Sequence, residues 1–270
     1  MDRVAAMGID LQLIDVTAFM DSTLEMIYGT NSPVIESSRE IPHGMLSEPE
    51  AFAIYEKALP PHRGAAVVNF YERETDFIIQ FRELAESCGR SLVLEPETGY
   101  IMWKVTGQRQ NIAIPDVKRY HDKQPEWLAE LLADSTIVQW SDIKESPSKY
   151  LVQITYANSV QMFELRDLDG LYIHADGVPI GSFDPAYDNL MRVINLANFE
   201  YVTSFQENYF GHGYPSQVKY YAEQIHARVI WPVHSYNPER FSVNTDSICQ
   251  LPELGVTYEV SSRGVRVASV

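Results

Sequence analysis

Between Ser47 and Glu95 the chain alternates short apolar runs with amphipathic helical segments, and this alternation limits the fold more than any other feature. "SEPEAFAIYEKAL" opens on Ser47 as an N-cap candidate and keeps glutamates in its first turn, where the helix dipole favours them. "GAAVVNF" reads as a short strand. "RETDFIIQFRELAESCG" reads as a helix with apolar residues at helical spacing and a glycine stop, and "SLVLE" as a second strand running into Pro96. Two β-α steps this short and regular point to an α/β class, with a parallel sheet flanked by helices.

The rest of the chain extends the pattern. "GIDLQLIDVT" suits a buried strand whose carboxyl end delivers Asp15, and the following "FMDSTLEMIYGTNSPVIESSREIPHG" has no sustained period and reads mostly as loop or crossover. In the middle, "QPEWLAELLAD" and "SVQMFELRDL" read as helices, and "TIVQW", "YLVQITY" and "LYIHADGVP" as strands. "FDPAYDNLMRVINLANF" reads as a long helix capped by Asp184 with Pro185 at its first position. A further helix, the strand "ARVIWPVH" and two edge strands, "GVTYEV" and "GVRVASV", close the chain.

With 270 residues, 45 % of them hydrophobic, the chain can fill one large domain or two ordinary ones. No apolar run approaches the roughly 20 residues of a membrane helix, and Asp10 interrupts the segment where a signal peptide stays apolar; a cytoplasmic protein without membrane contact is expected. Cys88 and Cys249 make neither a disulfide framework nor a thiolate zinc site. A net charge of -16 argues against coating nucleic acid non-specifically, which depends on neutralising many phosphates. It leaves room for a nuclease that gathers its few cations in one cleft.

Two of the seven histidines flank one helix-strand unit, "GHGYPSQVKYYAEQIHARVIWPVH". His212 lies in a glycine loop at a helix N-terminus, where outward N–H groups bind anions. Pro232 is expected to break the next strand and leave His234 at its carboxyl end, where ligand sites of α/β sheets gather. Neutral imidazoles there can ligate a metal or shuttle protons. Equally, a histidine in a glycine loop can be a turn residue and one at a strand end a rim group, so spacing alone leaves both readings open. His226 reads as a structural helix residue, and His43, His62 and His121 sit in polar loops without a partner pattern.

"YIHADGVP" followed by a helix and then "GHGYPSQVKYYAEQIHARVIWPVHSYNPERF" resembles the closing segment of metallo-β-lactamase-fold nucleases of the β-CASP group, including ribonuclease J-like enzymes. "VVNFYERETDFIIQFRELAESCGRSLVLEPETGY" is similar to their inserted domain, and "LQLIDVT" to the acidic-residue-plus-Thr motif before the insertion. The resemblance implies a β-CASP domain plus the C-terminal part of a metallo-β-lactamase fold. Residues 1–30 would end the first lactamase half, 31–180 form the inserted domain, and 181–270 the C-terminal lactamase segment. It also implies that His234 ligates a metal, that His212 protonates the leaving oxygen or steadies the transition state, and that Asp15 is the catalytic acidic residue. Arg73, Gly211, Gly213 and Ser235 become candidates for phosphate contacts. The implied cofactor is zinc or manganese, and the substrate RNA or single-stranded DNA.

The sequence departs from that family in one large respect: the early His-x-His-x-Asp-His run is absent. The chain is therefore expected to be the C-terminal portion of such an enzyme, needing an upstream half that carries the run, and to be inactive and free of catalytic metal when alone. Without the first half of the sandwich, the second-half sheet should expose an apolar face, to be covered by another copy or by a different assembly. The alternative function is a non-catalytic nucleic-acid-binding or assembly module on the same fold. A flavodoxin-like nucleotide binder would need a glycine-rich loop after the first strand, and "NFYERET" is not one.

Overall fold

The computed structural model describes residues 9–16, 19, 24, 27, 35–116, 125–182, 184–204, 209, 211–235, 237–261 and 264–268. The predicted crossover after Asp15 and His121 lie largely or wholly outside them. The chain divides into two compact units, Met1–Ser47 with Asn208–Val270, and Glu48–Glu207.

Strand β1 (Leu11–Asp15) belongs to the unit built from both chain ends. The other unit begins with α1 (Glu48–Ala58), β2 (Ala66–Asn69), α2 (Thr75–Ser87) and β3 (Ser91–Val93), in the expected alternation. It continues through α3 (Pro96–Thr106), β4 (Asn111–Ile112), α4 (Glu126–Ala133), β5 (Thr136–Ile137) and α5 (Trp140–Glu145). β6 (Tyr150–Gln153), β7 (Gly170–His174), α6 (Pro185–Leu196) and β8 (Phe199–Thr203) complete it.

Its main sheet runs β3-β6-β2-β7-β8 with every pair parallel. β2 is central and buried throughout: Ala66 and Val68 enter the core on the face covered by α1 and α2, and Val67 the core on the face covered by α6. This explains why the strand reads as an unbroken apolar run rather than an alternating one. On the first face Phe81 of α2 sits among Phe52, Tyr55, Phe70 and Phe77 at centroid distances of 5.1 to 5.7 Å. Burial of each such side chain contributes roughly 1.5–3 kcal/mol. α6 starts as expected, with Asp184 Oδ1 accepting from the Ala186 N–H at 2.9 Å and Pro185 in the first turn.

Several elements differ from the sequence expectation. "SLVLE" shortens to β3, and Pro96 opens α3, an element the sequence did not indicate, at a position where its missing N–H costs nothing. "TIVQW" shortens to β5 because Trp140 begins α5, and "SVQMFELRDL" belongs to a 3-10 helix, Tyr156–Leu165. Phe199 does not finish a helix; it starts β8, which pairs with β7 from Gly170↔Phe199 to His174↔Thr203. Residues 181–207 consequently share a unit with the strands before them, and the unit boundaries fall after Ser47 and Glu207 instead of after 30 and 180.

The other unit contains β1, α7 (Pro215–Ile225), β9 (Val229–Val233), β10 (Ile248–Cys249), and an antiparallel hairpin of β11 (Tyr258–Ser261) and β12 (Gly264–Val267). β9 is the middle of a parallel three-stranded sheet, β1-β9-β10. Pro232 lies inside β9, paired in register with Ile14, and does not break it. Val229 donates to the Asp10 carbonyl and Val233 accepts from the Val16 N–H, so the odd-numbered residues bond β1. Pro232 faces the β10 side beyond the end of that short strand, where no donor is needed.

One face of this sheet is covered by α7, with Ile230, Ala222, Val16 and Phe241 in a common core. The opposite face carries Leu13, in register with Trp231, and Ile248, in register with Val229. Leu13 is 63 % and Ile248 62 % exposed, while Trp231 is half-buried against the Tyr258 ring at 5.0 Å. Exposed apolar patches of this kind are characteristic of interaction surfaces.

Candidate site at the carboxyl end of strand β1

Asp15 ends β1 and pairs in register with Val233, whose successor is His234. His234 adopts a left-handed backbone with φ of 62°, which turns the chain out of the strand at that residue. Ser235 Oγ accepts from the Asn237 N–H at 3.1 Å and tightens the turn that follows. His212 comes from elsewhere in the chain, on the loop before α7, between Gly211 with φ of 75° and Gly213. An added Cβ at Gly213 would stand 3.1 Å from the Val218 side chain, so a small residue keeps this loop close to α7. α7 is itself braced: Gln217 Oε1 accepts from the Tyr214 N–H, Lys219 Nζ donates to the Ile35 carbonyl, and Ser38 N–H donates to the Ser216 carbonyl.

The three side chains meet at one carboxylate oxygen. Asp15 Oδ2 lies 3.3 Å from His234 Nδ1 and 3.8 Å from His212 Nδ1. Both imidazoles turn the same nitrogen toward the carboxylate, which directs the Nε2 edge of each ring away from it. Asp15, His212, Gly213 and Gln12 line a cavity of about 270 Å³. All three side chains are solvent-accessible, at 44 %, 46 % and 74 % for Asp15, His212 and His234. Among the described residues no group of three or more His, Cys, Asp or Glu side chains is arranged to hold a metal ion. The trio offers donors on one side of a site and does not fit a complete metal cage.

The remaining predicted residues separate. Gly211 and Gly213 flank His212, and Ser235 follows His234, so these stand beside the trio. Arg73 belongs to the other unit, in the turn before α2 and not in its first helical turn, with its carbonyl accepting from the Thr75 N–H. His226 caps the C-terminus of α7 with φ of 53° instead of lying inside the helix.

Sequence reasoning passed over a buried polar row at the carboxyl ends of the five-stranded sheet. His174 ends β7 without solvent exposure, and burial pulls its pKa down to about 4, against a small upward pull from the Pro179 backbone. Two residues on, Asp176 is pushed up to about 7 by burial and by the charges of Glu74 and Glu48. Glu95, 4 % exposed after β3, is likewise pushed up to about 7 by burial, although it accepts from the Thr155 N–H at 2.9 Å and meets Thr155 Oγ1 at 2.8 Å. The signal in the sequence was the strand-end placement of His174 in "YIHADG", the same placement that singled out His234.

Glu95 leads to a pH prediction. Its folded pKa is above the unfolded value of 4.5, so its contribution is fully present below 4.5 and is lost as pH rises through about 7. Glutamine reproduces the protonated acid, accepting from the Thr155 N–H and donating to its hydroxyl. In urea unfolding, Glu95→Gln should gain roughly 3 kcal/mol relative to the parent between pH 4.5 and pH 8. Equal pH dependence of the two proteins would remove Glu95 from this role. His174 works in the opposite sense, losing its contribution as pH falls from 6.5 through about 4, and is unaffected by the comparison.

No family model and no curated protein matches the chain. Among solved structures, a crystal structure of a protein of unknown function from Enterococcus faecalis is similar, with a TM-score of 0.61 and 18 % identity over 99 % of this chain and 54 % of that one. The likeness is one of fold, and the chain spans about half the length of that structure.

Proposed function

We propose that the chain is the C-terminal portion of a metal-dependent nuclease of β-CASP type that hydrolyses phosphodiester bonds in RNA or single-stranded DNA. The observation that carries this reading is the meeting of Asp15, His212 and His234 at one carboxylate oxygen, from segments separated by almost the whole chain. Asp15 holds both imidazoles by their Nδ1 edges. His212 serves the leaving oxygen as a proton donor, and His234 contributes one metal-binding imidazole. The glycines on either side of His212 let a phosphate approach the backbone closely.

Divalent zinc or manganese would activate water and neutralise the scissile phosphate. Because the described residues do not make a complete cage, the other ligands are assigned to a companion half carrying a His-x-His-x-Asp-His run. The open face around Leu13, Trp231 and Ile248 supports this reading, since a companion sheet would bury it. The chain on its own is proposed to be inactive.

The test is hydrolysis of an end-labelled RNA by this chain mixed with a polypeptide carrying the upstream half, in manganese or zinc. Hydrolysis by the mixture and by neither component alone is expected. A mixture that associates but leaves RNA intact would instead support a non-catalytic assembly module, the reading favoured by the net charge of -16 and by the missing His-x-His-x-Asp-His run.

A further inference from the structure

The cavity of about 270 Å³ beside the trio lies between β1 and α7, within the unit built from both chain ends. Gln12 and Ile14, two residues apart, share the α7-facing side of β1; Leu13 between them goes to the open face, and Ile14 packs against the core that holds Ala222. Across from them stand Val218 and Tyr221, three residues apart and therefore on one side of α7. Asp15, His212 and Gly213 line the same space, so a guest in it lies against the trio.

The lining narrows the choice of guest. Ile14, Val218 and Tyr221 make the walls largely apolar, which disfavours a charged group, and the Asp15 carboxylate disfavours an anion further. The volume falls below the roughly 300–1,000 Å³ of sites for drug-sized ligands, so it suits a ring system and not a whole nucleotide. Tyr221 is 43 % exposed, which leaves ring surface on which a flat group can stack. Away from the trio the polar group is Gln12, whose Oε1 is buried without a hydrogen-bond partner among the described residues. Such an acceptor is costly until a donor reaches it, and the broad terminal torsion of glutamine lets the amide turn to meet one.

A flat, neutral ring with an N–H donor on its edge, held against groups suited to a phosphodiester, is a nucleobase. A glutamine amide pairs with the amino group and neighbouring ring nitrogen of adenine, giving Oε1 its donor. We propose that this cavity is a subsite for an adenine base, with Gln12 reading its edge and Tyr221 stacking on its ring. The choice of a nucleobase rests on the nuclease reading.

The test is titration of the whole chain with adenosine and, separately, with inosine, in which a carbonyl replaces the amino group, followed by ligand-observed NMR. Saturable binding of adenosine is expected, at least about fivefold tighter than that of inosine. Tyr221→Ala should weaken adenosine binding by about fivefold or more, and Gln12→Leu should bring the two nucleosides to within about twofold of each other. Absence of saturable adenosine binding, equal binding of the two nucleosides by the parent chain, or an adenosine preference that Gln12→Leu retains in full overturns the proposal. A urea midpoint for each variant separates lost binding from lost folding. The titration needs neither metal nor a companion half, so its failure removes the subsite and leaves the nuclease reading to its own assay. RNA left intact by the mixture removes the nuclease reading without changing the titration.

Discussion

If the proposed assembly with an upstream half is a nuclease, His212→Ala is expected to slow its phosphodiester hydrolysis by about 10²–10⁴-fold without lowering its metal content. His234→Ala is expected to lower both rate and metal content. The difference follows from their positions around Asp15. His234 extends directly from the end of β9, a strand paired with β1, so its imidazole is placed by the same sheet that places the carboxylate. His212 approaches from the loop before α7, 3.8 Å from Asp15, where a side chain can serve a departing oxygen. A rate assay and a metal assay on the same preparations separate the two roles. Wild-type rates in both variants would move the account to a non-catalytic module.

Arg90→Ala should destabilise the sheet-containing unit by about 3–5 kcal/mol in urea unfolding. Arg90 is 2 % exposed, and burial lowers its pKa. Its guanidinium donates to four backbone carbonyls, those of His62, Gly64, Pro147 and Tyr150, at 2.8 to 3.2 Å. These lie just before β2 and around the start of β6, so one side chain ties two neighbouring strands at their amino ends. The packing there leaves no room for substitutes: a Cβ on Gly64 would lie 1.9 Å from the Asp169 carbonyl oxygen. Arg90→Lys should recover less than half of the loss, because a single ammonium cannot reach carbonyls spread around two guanidinium nitrogens. A loss below about 1 kcal/mol for Arg90→Ala would contradict this account.

Much of the framework was legible where local pattern and tertiary context agree. The apolar run of β2, the spacing of Ile78, Phe81 and Leu84 in α2, and the Asp184–Pro185 start of α6 each carry their own signal. Asp15, His212 and His234 were legible as strand-end and glycine-loop residues, and the structure brings them together at one oxygen.

What was not legible depends on partners distant in sequence. "FEYVT" becomes β8 because Phe199 packs over Gly170, where any Cβ would stand 2.6 Å from the ring. Pro232 is tolerated inside β9 because β10 ends before reaching it, which no local pattern indicates. His174 and Glu95 become buried titratable groups, and Asp176 a half-buried one, only once helices cover both faces of the sheet.

The most direct measurement of the central claim is the zinc or manganese retained after gel filtration of this chain, of the upstream half, and of the two together. The account predicts that the mixture retains metal that this chain alone does not, and that His234→Ala lowers the amount retained. A mixture that co-elutes without metal, or one whose metal content is the same with and without His234, would contradict it.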